Sequence, residues 1–206
     1  IGYRKAYCID MILGTLCLYF SFQLKEVPAN EEAEKQKIVQ QIWECVKESI
    51  LFLLKNGRAT RLMFWNAFIG AIATLYLFFL QAQLPLKGLP MGLLGPSLFV
   101  VGLGGAVGAK LVQCFSEWKY SRISILCVSG VILGAMTILM KNPWIMCIGG
   151  FASAMFDDLI QVRSDVLLNS MIPSEQRATL VSVSSFCFSI IMIVMSPLVG
   201  WIFSLL

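Results

Sequence analysis

The sequence predicts an all-α membrane protein with six transmembrane helices. Three observations carry that prediction. Of 206 residues, 58% are hydrophobic and 14% charged, with a mean hydropathy of +0.78, a balance suited to a chain whose solvent is largely lipid. Apolar runs of spanning length recur along the chain. The charges, net +4, collect between those runs, as topology signals do, and form no patch of the kind that holds a nucleic acid.

Ala6 to Phe22 is the first run, near the lower limit for a span, with Asp10 toward its outer end. Residues 23–61 form the one long polar region. Within it Ile38, Ile42, Val46, Ile50 and Leu53 recur at helical spacing, widened by Val39, Trp43 and Leu54, while Glu and Lys fill the remaining surface. This predicts an amphipathic linker helix over 31–56, lying at the membrane face. The second span runs from Leu62 to Gln83 and is closed by a turn containing Pro85, Gly88 and Pro90. The third, Met91 to Cys114, is rich in small residues that let another helix approach closely, Gly104 and Gly108 among them, with Lys110 near its end.

Ser116 to Arg122 is a short charged loop with interfacial aromatics, and Ile123 to Met140 is the fourth span. Lys141, Asn142 and Pro143 turn it back as a tight helical hairpin into the fifth, Trp144 to Leu168. Pro173 interrupts the chain, with Ser174, Glu175 and Arg177 reading as the cap and anchor of the next helix. The sixth span, Ala178 to Leu206, carries Pro197, which frees a backbone carbonyl and predicts a kink or hinge. With the N-terminus outside, twelve Lys and Arg residues fall on the inner side and only Arg4, Lys5, Lys87 and Lys141 on the outer one. The linker, the 116–122 loop and the Pro173 turn are therefore expected to be cytoplasmic.

The seven cysteines are scattered singly and there is no histidine, so neither a disulfide framework nor a metal site is expected, and no cofactor. The absence of histidine, of G-x-S-x-G and of H-E-x-x-H argues against an enzyme. The chain begins at Ile1 rather than Met, and it is expected to be a piece of a longer protein.

The chemistry is concentrated in the fifth span. Asp157 and Asp158 lie about 20 Å from its outer end in a hydrocarbon core of about 30 Å. An ionised carboxylate there is costly unless it faces protein or water, so the pair is expected to line a path. Helical spacing puts Asp158, Gln161 and Asp165 on one face, with Asp157 about 100° away. Burial and the neighbouring like charge both disfavour ionisation, so two readings stand side by side: one member of the pair exchanges a proton, or the pair contacts a basic partner elsewhere in the protein or lies in a wet inner vestibule. Asn66, Thr74, Tyr76 and Gln81 of the second span are further polar candidates, either for the path or as glue between helices. Arg163 and Asp165 are expected as interfacial ion pairs nearer the cytoplasm.

I-G-Y-R-K-A-Y at the start, L-K-E after the first span, N-S-M-I-P-S-E-Q-R-A-T-L-V-S-V-S-S-F at 169–186 and S-P-L-V-G-W at 196–201 together resemble the major facilitator superfamily of secondary transporters. The resemblance covers essentially the whole chain and implies a partial major facilitator fold, family helices six to eleven. Residues 1–22 would then be the last helix of an N-terminal bundle, 23–61 the central cytoplasmic loop, and 62–206 five of the six helices of the C-terminal bundle. The family's acidic and basic loop signature is reduced here to Glu117, Lys119 and Arg122, which with Arg163, Asp165 and Arg177 are the candidates for cytoplasmic gating or anchoring.

The resemblance further implies a multi-pass protein of the plasma membrane that moves a small molecule by alternating access. Coupling to a proton or another ion and completion by the missing N-terminal bundle follow from the same resemblance. The acids and the aromatics Trp65, Phe68, Tyr76, Phe78 and Phe79 suit efflux of an amphipathic or cationic compound. Nutrient uptake by the same fold is one alternative. The membrane domain of an ATP-driven exporter is another, although no G-x-x-x-x-G-K-S/T loop is present.

Overall fold

In the computed structural model residues 3–24, 43, 44, 47, 50, 51, 54–172 and 177–204 are described, and the chain divides into two compact units, 1–42 and 43–206. All regular elements among the described residues are helices. The first unit contributes α1, Tyr3–Phe22. Its hydroxyls fold back onto the helix: Thr15 Oγ1 donates to the Met11 carbonyl at 2.8 Å and Ser21 Oγ to that of Cys17 at 2.9 Å. Such back-bonding hides a hydroxyl on an otherwise apolar surface.

The second unit holds α2, Gly57–Leu86; α3, Met91–Leu111, which tightens into a 3₁₀ turn at Val112–Phe115; and α4, Tyr120–Met136, which ends in another at Thr137–Leu139. It closes with α5, Pro143–Met171, and α6, Arg177–Ser204. These five helices are long and apolar enough to cross a membrane, the pattern of an integral membrane protein. Of the first predicted span, the stretch Met11–Phe22 is present among the described residues as a shorter apolar helix. Most of the predicted linker helix lies outside the described residues, as do 173–176 and the side chains of Asp10 and Arg177. Trp43, Ile50 and Leu54 of its stripe carry helical backbone and are exposed.

Local chemistry explains the ends. Pro85 does not stop α2, contrary to the sequence reading; Gly88 does, at φ +96°, where the Lys87, Gly88 and Leu89 N–H groups close on the carbonyls of Gln83, Pro85 and Leu84. A left-handed residue past the helix end lets the chain reverse and satisfies the last carbonyls. At the start of α5 the Asn142 side chain accepts from the Trp144 N–H at 2.9 Å, with Pro143 in the first turn. Pro197 leaves the Ile193 carbonyl without its usual donor, yet α6 continues to Ser204.

Helix α5 is the centre of the unit, packed against α2, α3 and α4, whereas α6 leans on α2. The closeness of the α3 crossing depends on glycine. A Cβ at Gly104 would fall on the Phe151 carbonyl and one at Gly108 on that of Met155, so α3 rides directly on the backbone of α5. Apolar clusters close the bundle at both ends. Leu80, Leu84, Val101, Ile138 and Met146 pack at the end that carries the 87–90 turn; Leu62, Met63, Leu168 and Leu180 pack at the other.

Candidate functional site

Between those apolar ends, α2, α5 and α6 leave two polar cavities, of about 370 and 260 Å³. Asn66, Gln161, Ser184 and Ser185 line both, so they form one cleft. The larger cavity adds Gly70, Thr74, Asp157, Phe188 and Ser189; the smaller adds Asp165 and Asn169. Each helix contributes at a four-residue stagger: Asn66, Gly70 and Thr74 on α2, Asp157, Gln161 and Asp165 on α5, Val181, Ser185 and Ser189 on α6. Residues four apart stack on one helical face, so three such stripes make a continuous lining.

The lining has a definite electrostatic character. It holds two carboxylates and no Lys or Arg. Ser185 Oγ donates to the Val181 carbonyl at 3.2 Å and Ser189 Oγ to the Ser185 carbonyl at 3.0 Å. With their protons committed to their own helix, these hydroxyls offer the cleft only acceptor lone pairs. The cleft thus presents mainly acceptors and negative charge, relieved by the amides of Asn66, Gln161 and Asn169. Among the described residues no group of three or more His, Cys, Asp or Glu side chains is placed to hold a metal.

The carboxylate pair is divided between two environments. Asp157 faces the cleft, whereas the Asp158 carboxylate occupies the space left by the missing side chain of Gly105 on α3. The cleft face of α5 is therefore Asp157, Gln161 and Asp165, not Asp158, Gln161 and Asp165. On a helical wheel Asp158 stands about 20° from Asp165; α3 covers the first and not the second.

Tyr76 lies outside the cleft as well. Only 2% of it is exposed, it packs among Leu80, Leu84 and Met146, and its hydroxyl lies 3.4 Å from Thr137 Oγ1, joining α2 to the end of α4. Tyr76→Phe should cost about 0.6 kcal/mol of stability, the usual worth of such a hydrogen bond inside a membrane, measured by thermal unfolding in detergent. Two similar ties help hold α4: Trp65 Nε1 donates to Ser124 Oγ at 2.7 Å, and Tyr120 Oη pairs with Ser164 Oγ at 3.0 Å.

Arg163 makes no ion pair with Asp165. Its Nη2 donates to the carbonyls of Ser116 at 2.9 Å and Trp118 at 3.3 Å, pinning α5 to the loop between α3 and α4. The separation of the two is geometric, since residues two apart on a helix point to nearly opposite sides. Glu117, Lys119 and Arg122 are exposed around that loop, outside both cavities. The α6 serines and Phe188 were not among the site residues expected from sequence, although the run S-V-S-S-F-C-F-S at 182–189 is an unusual density of hydroxyls for a spanning helix. Comparison of the chain with protein-family models, with curated proteins and with solved structures gave no match.

Proposed function

We propose that this chain forms part of a secondary transporter of the major facilitator type, supplying helices six to eleven with residues 23–61 as the cytoplasmic connection between two bundles. In this reading α1 is the sixth span, the protein lies in the plasma membrane, and the remaining helices of the same protein close the other side of the cleft. The cargo is a small amphipathic compound carrying positive charge, exported in exchange for protons.

The observation that supports this reading is the cleft itself: polar, acceptor-rich, bearing Asp157 and Asp165 without a basic residue, inside helices of spanning length. A lone carboxylate at such depth is costly, and either a proton or a cationic ligand relieves that cost. Binding of the one therefore displaces the other. If the two occupants favour different bundle arrangements, their exchange drives alternating access.

The test is efflux of a panel of cationic dyes from vesicles carrying the complete protein, with and without a proton-gradient collapser. Efflux lost on collapse supports the reading; efflux that needs ATP and ignores the gradient assigns the chain to an ATP-driven exporter, and inward accumulation assigns it to uptake. Occluding the cleft gives a second check. A Cβ at Gly70 meets the Phe188 ring at 3.7 Å, an ordinary contact, so Gly70→Ala should transport normally. Gly70→Leu should intrude into the larger cavity and lower the transport rate roughly tenfold, the rate equivalent of about 1.4 kcal/mol of crowding.

A further inference from the structure

We propose that a groove on the surface of the second unit binds an anionic phospholipid, with its phosphate between Arg58 and Arg61 and one acyl chain along Phe64, Trp65, Phe68 and Ile191. The groove has a volume of about 800 Å³ and is bounded by α2, the start of α4 and α6. It is amphiphilic along its length. Arg58 and Arg61 stand at one end, and no acidic residue in the first turn of α2 neutralises them. Beyond them the wall is apolar, with Phe64 and Trp65 substantially exposed.

Arg61 is held in place, its Nε donating to the Gly57 carbonyl at 3.1 Å, which leaves its terminal nitrogens for a phosphate. The length of the groove selects the occupant. Arg58 and Phe68 are separated by about 15 Å of helix, the depth of one leaflet of a core about 30 Å thick. A crossing helix needs the full thickness, whereas an acyl chain needs half. A free phosphate would satisfy the arginines and leave the apolar wall uncovered. A zwitterionic lipid brings its own cation to the arginines, and an anionic one does not.

The experiment places a photoreactive benzoylphenylalanine at Phe64, which is exposed, in the complete protein reconstituted with equal amounts of phosphatidylglycerol and phosphatidylcholine. After irradiation the intact mass identifies what has been captured. Phosphatidylglycerol adducts should exceed phosphatidylcholine adducts roughly tenfold, and Arg58→Gln with Arg61→Gln should bring that ratio close to one while lipid adducts persist. A ratio near one in the parent protein, or a preference untouched by the double substitution, would overturn the proposal. So would a doubled mass, which means a second copy in the groove, or an unshifted mass with an internal cross-link, which means a segment of the same chain. Capture of no lipid at all would also overturn it.

Discussion

Asp157→Asn should cut coupled transport by about 30-fold or more, while Asp158→Asn should change it only modestly. The two residues are adjacent, isosterically replaced and only about 1.5 Å apart along the helix axis, so the contrast isolates what each carboxylate faces. Asp157 lines the larger cavity together with Asn66 and Gln161. The Asp158 carboxylate is seated against Gly105. Removing one partner of a desolvated charge pair costs about 2–5 kcal/mol, which sets the lower bound on the loss at Asp157. Asparagine cannot take up and release a proton, so Asp157→Asn should also abolish the dependence of dye movement on the proton gradient. An amide at Asp158 keeps the shape that fills the Gly105 gap, and the crossing of α3 and α5 should survive it. Efflux rates from vesicles with a fixed gradient decide the matter. Loss at Asp158 with full activity at Asp157 would mean that the cleft is not the route.

The placement of these acids also shows where a sequence stops being informative. Composition and hydropathy were enough for the helical class and for the spans corresponding to α2 through α6, because lipid forces long apolar helices and each run has the length the bilayer demands. The G-x-x-x-G pair of α3 was legible as a close-packing motif, but not its partner, since Gly104 and Gly108 name no sequence on α5. The face of α5 was legible to within one residue. Periodicity cannot say which neighbour covers which side, and the Asp158 carboxylate turns out to face Gly105 of α3 rather than the cleft. Tyr76 lies outside the cleft for the related reason that a hydroxyl serves equally well as a tie between helices, here to Thr137. Arg163 looked like half of an ion pair because carbonyl partners such as those of Ser116 and Trp118 leave no trace in side-chain identity. The α6 serines were visible as residues, and became part of a site only once α6 was seen to run beside Asn66 and Gln161.

Gly108→Leu should destabilise the second unit by about 3 kcal/mol, the upper end of what overpacking costs, and lower the unfolding midpoint in detergent by roughly 6–12 °C. The reason lies in what the new side chain would strike. A Cβ at Gly108 overlaps the Met155 carbonyl, and backbone of a central helix cannot rotate aside as a side chain can. Relief requires α3 to lift away from α5, which would also withdraw Gly105 from Asp158 and leave that carboxylate exposed to lipid or to a new void. The damage should therefore reach the cleft, with the transport rate falling more steeply than the folded fraction does. Gly102→Leu provides the matched control, because nothing lies within 4 Å of a Cβ there and the residue is exposed. It adds the same hydrocarbon to the same helix and should leave the midpoint within about 2 °C of the parent, since substitutions away from packed features change stability by about 0.5 kcal/mol or less. Equal losses for the two variants would show that α3 tolerates no bulk anywhere, and the direct seat of α3 on α5 would then not be what holds the acid pair apart.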